Sequence, residues 1–163
     1  MMKIANLCFL LRADEVLLAM KKRGFGVGKW NGPGGKVKDG ETVEKSVARE
    51  IKEEIGVEVL EKDLEKIGEI EFYFPEQKGW DVFVHIFFSK KWKGKPTESD
   101  EMKPEWFKVS EIPLDKMWVD DKYWLPDPHA GKKFKAKFYF KGSGEEVDRY
   151  EIEEVRKEVR DKK

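Results

Sequence analysis

The chain has a single cysteine, Cys8, in 163 residues, so no disulfide can form within it and no cysteine-based zinc site can be built. Histidine is nearly as scarce: His85 and His129 are the only two. With so few, no Ser/His/Asp or Cys/His arrangement is visible, and a packed or solvated role is the expectation for each. Net charge is also missing, because 33 Lys and Arg balance 33 Asp and Glu. A neutral chain has no long-range field for a polyanion, which argues against binding nucleic acid along its backbone. No apolar run approaches the roughly 20 residues that cross a bilayer. The N-terminal apolar segment is too short and too strand-like for a signal peptide, so the expectation is a cytoplasmic protein away from the membrane.

Against these absences stand a 40% charged fraction and a 39% hydrophobic fraction, enough for one core of ordinary size. Ile4 to Leu11 and Val16 to Met20 read as a β-hairpin. Arg23 to Gly35 is a glycine-rich loop. Thr42 can N-cap a helix running to about Ile55, with Gly56 after its end. Val57–Leu60, Ile67–Phe74 and Asp81–Trp92 are expected strands, and 93–103 is expected to be a loop. Trp106–Val109 reads as a short strand, and Met117–Leu125 as partly helical. Phe134–Phe140 alternates as a strand does. Gly142 to Gly144 reads as a turn, with Val147–Ile152 as the returning strand and a charged, helix-prone end from Glu153. Frequent strands around few helices indicate an α+β sandwich. The expected organisation is one domain over residues 1–155 and a charged tail over 156–163.

The helix carries the chemistry. Glu50, Glu53 and Glu54 are related by i, i+3 and i+4, so their carboxylates converge on neighbouring parts of one face. At about 100° per residue, Val43, Val47, Ala48, Ile51 and Ile55 form an apolar stripe. Glu50 and Glu54 lie on its edge, with Glu53 just beyond. Hard divalent cations take such oxygen ligands, sharing them with water and substrate phosphates. Spacing alone leaves two readings open, a metal site and a solvated acidic face.

The spacing Gly35, five residues, Glu41, seven residues, Arg49-Glu50-Ile51-x-Glu53-Glu54-x-Gly56-Val57 resembles the Nudix box at every fixed position. Further runs resemble the branch of that family that hydrolyses oxidised purine nucleoside triphosphates. They are Met20 to Val37, Glu98 to Pro104, Met117 to Trp124, and the strand from Lys133. The resemblance extends to about Val155. It implies an α/β/α sandwich around a mixed sheet flanked by helices. The activity it implies is Mg²⁺-dependent conversion of a nucleoside triphosphate such as 8-oxo-dGTP or 2-hydroxy-dATP to the monophosphate and pyrophosphate, with Mn²⁺ able to substitute.

What the resemblance implies for residues is specific. Metal would be held by Glu50, Glu53, Glu54, Glu101 and the carbonyl of Gly34 or Gly35. Glu50 or Glu54 could instead help to deprotonate water. Arg49 and Glu41 would form a pair orienting these acids. Lys21 and the glycine loop would meet phosphates. The base pocket would take Asn6, Phe25, Asn31, Phe72, Phe74, Trp80, Trp118, Asp120 and Asp121, with the two aspartates sharing a proton. The sequence departs from the family at three places: Asn6 stands for a threonine, Trp80 for a methionine-like residue, and Pro33 for an aromatic one. These bear on the breadth of base selectivity. The expected partner is the nucleotide alone, bound by a monomer. Rival readings are a Nudix hydrolase of ADP-ribose, a dinucleotide or an unmodified triphosphate, an isoprenoid diphosphate isomerase, and a non-catalytic RNA-binding module. The complete box and the Trp118–Asp121 run disfavour all three.

Overall fold

The computed structural model describes residues 2–125 and 133–155. His129 and the 156–163 tail lie outside them. The chain begins with β1 (Lys3–Arg12) and β2 (Glu15–Lys21), joined by a two-residue turn in which Ala13 takes φ 50°. Inside the glycine-rich segment are two short strands, β3 (Trp30–Asn31) and β4 (Gly34–Lys36), where a plain loop is expected from sequence. The long helix α1 (Val43–Ile55) follows, and then β5 (Leu64–Tyr73), β6 (Val82–Ser89) and β7 (Met102–Lys108). A single helical turn, α2 (Asp121–Trp124), precedes β8 (Lys133–Lys141) and β9 (Glu146–Val155).

The strands lie in the order β3-β2-β1-β6-β5-β8-β9, with β4 added to β1 and β7 to β2. The β1/β6 and β5/β8 pairs are parallel and the others antiparallel, so the sheet is mixed as expected. Side chains of a strand alternate between faces, and here that alternation divides two cores. Cys8 and Leu10 of β1 and Phe87 of β6 face α1, packing with Val47, Ile51 and Ile55. Phe9, Val84, Ile86 and Phe88 point the other way, to a core closed by Trp124, Phe134 and Phe138. The second helical layer of the expected sandwich is reduced, among the described residues, to α2 and two 3₁₀ turns (Val109–Glu111 and Leu114–Lys116).

Several boundaries differ from the sequence reading. Residues 57–60 do not form a strand: Val57 and Val59 are buried under α1, but only Glu58 bridges, to Lys93. The strand expected at Trp106–Val109 starts earlier, at Met102, because β2 offers it a partner along its whole length. Residues 153–155, expected to begin a helix, stay in β9, since Glu153, Glu154 and Val155 pair with Lys135, Phe134 and Lys133. A ladder partner overrides weak helical propensity there.

Helix α1 has the ends read from sequence. The Thr42 hydroxyl accepts from the Lys45 amide at 3.1 Å, and Gly56 takes a left-handed φ of 73° while its N–H returns to the Lys52 carbonyl. Thr42→Ala should therefore lower stability by about 1 kcal/mol, and Thr42→Ser should retain it. Urea denaturation of the three proteins tests this, and equal midpoints would show that the cap bond contributes nothing.

Candidate functional site

At one end of the site, strand β4 threads between β1 and α1. A Cβ at Gly34 would collide with the Asn6 carbonyl, and one at Gly35 with the Glu50 carboxylate, so only glycine permits both approaches. The Gly34 N–H donates to Glu54 Oε1 at 3.0 Å. Glu54 is 8% exposed despite its charge. Burial pushes its pKa up to about 8, and the negative charges of Glu50 and Glu101 add to this against the opposing Gly34 bond and Lys21. Glu50 is also raised, by burial first, with Arg49 opposing. Glu101, on the loop before β7, thus acts on both helix acids from far along the chain.

Arg49 donates from Nε to Glu41 at 2.6 Å and from Nη2 at 3.1 Å, a two-pronged pair that also reaches the Lys36 carbonyl at 3.3 Å. Its remaining nitrogen stands 3.4 Å from both Glu50 and Glu53. The hydrogen bond from Arg49 holds Glu41 down at about 2. Glu41 and Arg49 therefore couple the loop to the acid helix.

These residues suit a hard cation in chemistry. Two half-buried or buried carboxylates, Glu50 and Glu54, repel each other beside Glu101. Among the described residues, however, no three acids are gathered into a ready cage, since Glu53 is turned to Arg49 and largely exposed.

A cleft of about 310 Å³ opens from this acid end. Lys21, Gly34 and Gly35 line its near side; Phe25, Asn31, Phe72, Phe74 and Trp118 line its walls; Asp120 and Asp121 lie at the far end. Phe72 and Phe74 do meet the cleft and also stack on Phe140, 5.6 and 4.9 Å between centroids, so they serve wall and core together. Trp118 lies 5.0 Å from Phe25. Asn31 is held by accepting from the Gly32 amide at 2.8 Å.

Of two further expected pocket residues, Asn6 is in the cleft lining, with its side-chain amide donating to Ser46 of α1 at 2.9 Å. Trp80 is set behind the wall, packing edge-on to Phe74 and Phe25 at 5.6 and 5.2 Å. Both departures from the family pattern thus shape what backs the cleft. Lys29, Met102 and Phe140 line it without having been singled out from sequence. Lys29 has its Nζ 5.3 Å from the Trp118 ring centroid, a proximity that no local sequence signal gives.

Asp120 and Asp121 are 3% and 2% exposed. Asp120 Oδ2 accepts from the Trp124 indole at 2.8 Å, whereas Asp121 Oδ2 is enclosed without a partner. Burial pushes Asp120 up to about 6, opposed by the Trp124 bond. Asp121 is raised well further, by burial and then by the charge and hydrogen bond of Asp120, with Lys29 opposing. Both shifts favour the neutral carboxyl, the larger at Asp121.

The model of the NUDIX domain matches residues 1–128. The oxidized purine nucleoside triphosphate hydrolase of Danio rerio is 46% identical over 94% of this chain and 96% of its own, and that of Mus musculus is 44% identical with the same coverage. Among solved structures, the mutator MutT protein of Bacillus halodurans superposes with a TM-score of 0.78 at 29% identity, covering 93% of this chain and 97% of that one.

The charge states have consequences for stability. Glu41 has a folded pKa near 2, below the roughly 4.3 of an unfolded glutamate. Its pairing therefore stabilises fully above the unfolded value and is lost as pH falls through the folded one. The melting advantage of the native chain over Glu41→Gln should be constant above about pH 5 and shrink steadily on acidification. For Asp121 the sign reverses, because its raised pKa makes ionisation costly above the unfolded value of about 3.9. Asp121→Asn should thus raise the melting temperature more at pH 8 than at pH 5. Scanning calorimetry across pH reads both; a gain for Asp121→Asn that does not grow with pH would show that the carboxyl is not held neutral.

Proposed function

The chain belongs to the NUDIX family, and from that premise we propose that it hydrolyses oxidised purine nucleoside triphosphates to the monophosphate and pyrophosphate. The observation that carries this reading is one cleft whose lining includes Gly34 and Gly35, which meet Glu54 and Glu50, and also the buried pair Asp120 and Asp121. We read the glycine side, next to the glutamates, as the phosphate end and the aspartate side as the base end. The near-full-length similarity to two oxidized purine nucleoside triphosphate hydrolases supports the same substrate class.

Glu50, Glu53, Glu54 and Glu101, with the carbonyl of Gly34 or Gly35, would hold Mg²⁺, or Mn²⁺ in its place. When bound, such a cation neutralises phosphate charge and lowers the pKa of water. Glu53 would have to turn from Arg49 to take part. Arg49 keeps Glu41 and the loop fixed while it does so. Lys21 adds a positive charge on the phosphate side of the cleft. Glu50 or Glu54 would, in place of a ligand role, receive the proton of the attacking water once ionised; Glu54 is aimed by the Gly34 N–H. The water oxygen forms a bond to one phosphorus of the α–β linkage as that phosphorus loses its bond to the bridging oxygen, which leaves with the electron pair, so the products are the monophosphate and pyrophosphate.

At the other end, Trp118 and Phe25 supply flat faces for a purine. The neutral Asp121 donates from its unpartnered oxygen to a base acceptor, while Asp120, held by Trp124, accepts from a base N–H. Moving the proton between them would let one pocket take oxidised guanine and oxidised adenine. The enzyme is expected to work as a monomer on free nucleotides.

Three measurements test the proposal. Glu54→Gln should keep the fold and lower kcat by roughly 10²–10⁴-fold; near-native turnover would remove Glu54 from the reaction. With 8-oxo-dGTP and Mg²⁺, phosphorus NMR should show pyrophosphate and no orthophosphate, and chelator should abolish turnover. Asp120→Asn should change the ratio of kcat/KM between 8-oxo-dGTP and 2-hydroxy-dATP. An unchanged ratio, with an unchanged pH profile, would assign selectivity to the aromatic walls.

A further inference from the structure

Behind the acid end lies a line of polar groups buried between the sheet and α1. The Lys36 carbonyl can only accept, and it takes the Ser46 hydroxyl at 3.3 Å and Arg49 at 3.3 Å. With its proton directed to Lys36, Ser46 Oγ accepts from Asn6 Nδ2 at 2.9 Å. That leaves Asn6 Oδ1, which is enclosed and has no donor. On the neighbouring strand, His85 Nδ1 is enclosed and equally without a partner.

The register brings the two orphans side by side. Asn6 of β1 is matched with His85 of β6 in a parallel pair, as Cys8 is with Phe87 two residues on, and that pair faces α1. Residues matched this way share a face, with strands about 4.8 Å apart. Leaving two such atoms unpaired would cost about 1–3 kcal/mol each. Both vacancies close at once if the ring carries its proton on Nδ1.

We propose that His85 is a positioning residue: as the Nδ1–H tautomer it donates to Asn6 Oδ1 and completes a one-way chain, His85 to Asn6 to Ser46 to the Lys36 carbonyl, that fixes β4 against α1. The last two steps run one way, since the Lys36 carbonyl only accepts and the Ser46 hydroxyl that donates to it accepts from Asn6. Strand β4 carries Gly34, whose amide aims Glu54, and the Lys36 carbonyl is shared with Arg49. The imidazole is neutral in this role. Burial and then Lys66 lower its pKa, while Glu69 and Glu44 oppose them. Glu69, matched with His85 across β5, has its Oε2 engaged by Lys66.

Long-range ¹H–¹⁵N correlation spectra of the ¹⁵N-histidine-labelled full chain at pH 7.5 read the tautomer directly. His129→Gln assigns the second histidine. The expected pattern for His85 is a protonated Nδ1 that shifts in Asn6→Leu, and an Nε2–H tautomer would overturn the proposal. His85→Leu should speed amide exchange at Gly34 and Gly35 and lower kcat by roughly tenfold, as removal of a supporting shell does, with KM little changed. His85→Asn, whose amide donates from the place of Nδ1, should restore both. Unchanged exchange and kcat in His85→Leu, or no rescue by His85→Asn, would overturn the positioning role. The kinetic arm rests on the hydrolase reading above. If the native chain itself fails to turn over 8-oxo-dGTP, that reading fails, while the spectra and exchange still decide the fate of the chain of bonds.

Discussion

The site depends on how closely β4 approaches two neighbours at once. Its backbone passes against the Asn6 carbonyl on one side and the Glu50 carboxylate on the other, with no room for a side chain at Gly34 or Gly35. That approach is what lets a backbone N–H reach Glu54 and a backbone carbonyl reach Arg49. The acid helix is thereby oriented by main-chain groups, which cannot rotate away as side chains do. The caps at Thr42 and Gly56 fix where the helix starts and stops, and β4 fixes which way its acids face.

Both ends of the cleft keep carboxyls in surroundings that favour their neutral form. Glu54, Asp120 and Asp121 all have raised pKa values, with burial as the leading cause in each. Such groups reduce the stability of the unliganded fold near neutral pH, because the unfolded chain ionises them freely. Shifts of this kind fit the binding and proton-transfer roles proposed for these groups. The pair Glu41–Arg49 is the opposite case: its shifts run in the direction of mutual support, and it belongs to the frame.

Much of this was legible in the residue order. The i, i+3, i+4 acids, the Thr42 cap and the Gly56 stop give α1 to within a residue, because capping and amphipathic spacing are local. The alternation in β1, β5, β6 and β8 is similarly local. What could not be read depends on partners distant in sequence. The strands β3 and β4 have no strand composition and exist because β2 and β1 offer ladder positions. The early start of β7 through Pro104 is tolerated because of its place in the sheet, paired with Ala19 of β2. The side-chain direction of Asn6 needed the parity of β1 against β6, and the place of Trp80 needed the positions of Phe74 and Phe25. Lys29 was legible only as one lysine among many.

The sheet's alternation also bears on how such a protein can change over generations. Odd-numbered positions along β1 belong to the core behind the base-binding walls, and even-numbered ones to the core under the acid helix. One layer of backbone separates the two inventories of side chains. Side chains of the first core, Trp80 behind the cleft wall among them, can therefore change without touching Val47, Ile51 and Ile55, which seat the acid helix. One scaffold can in this way vary the backing of its cleft while the seat of α1 stays as it is.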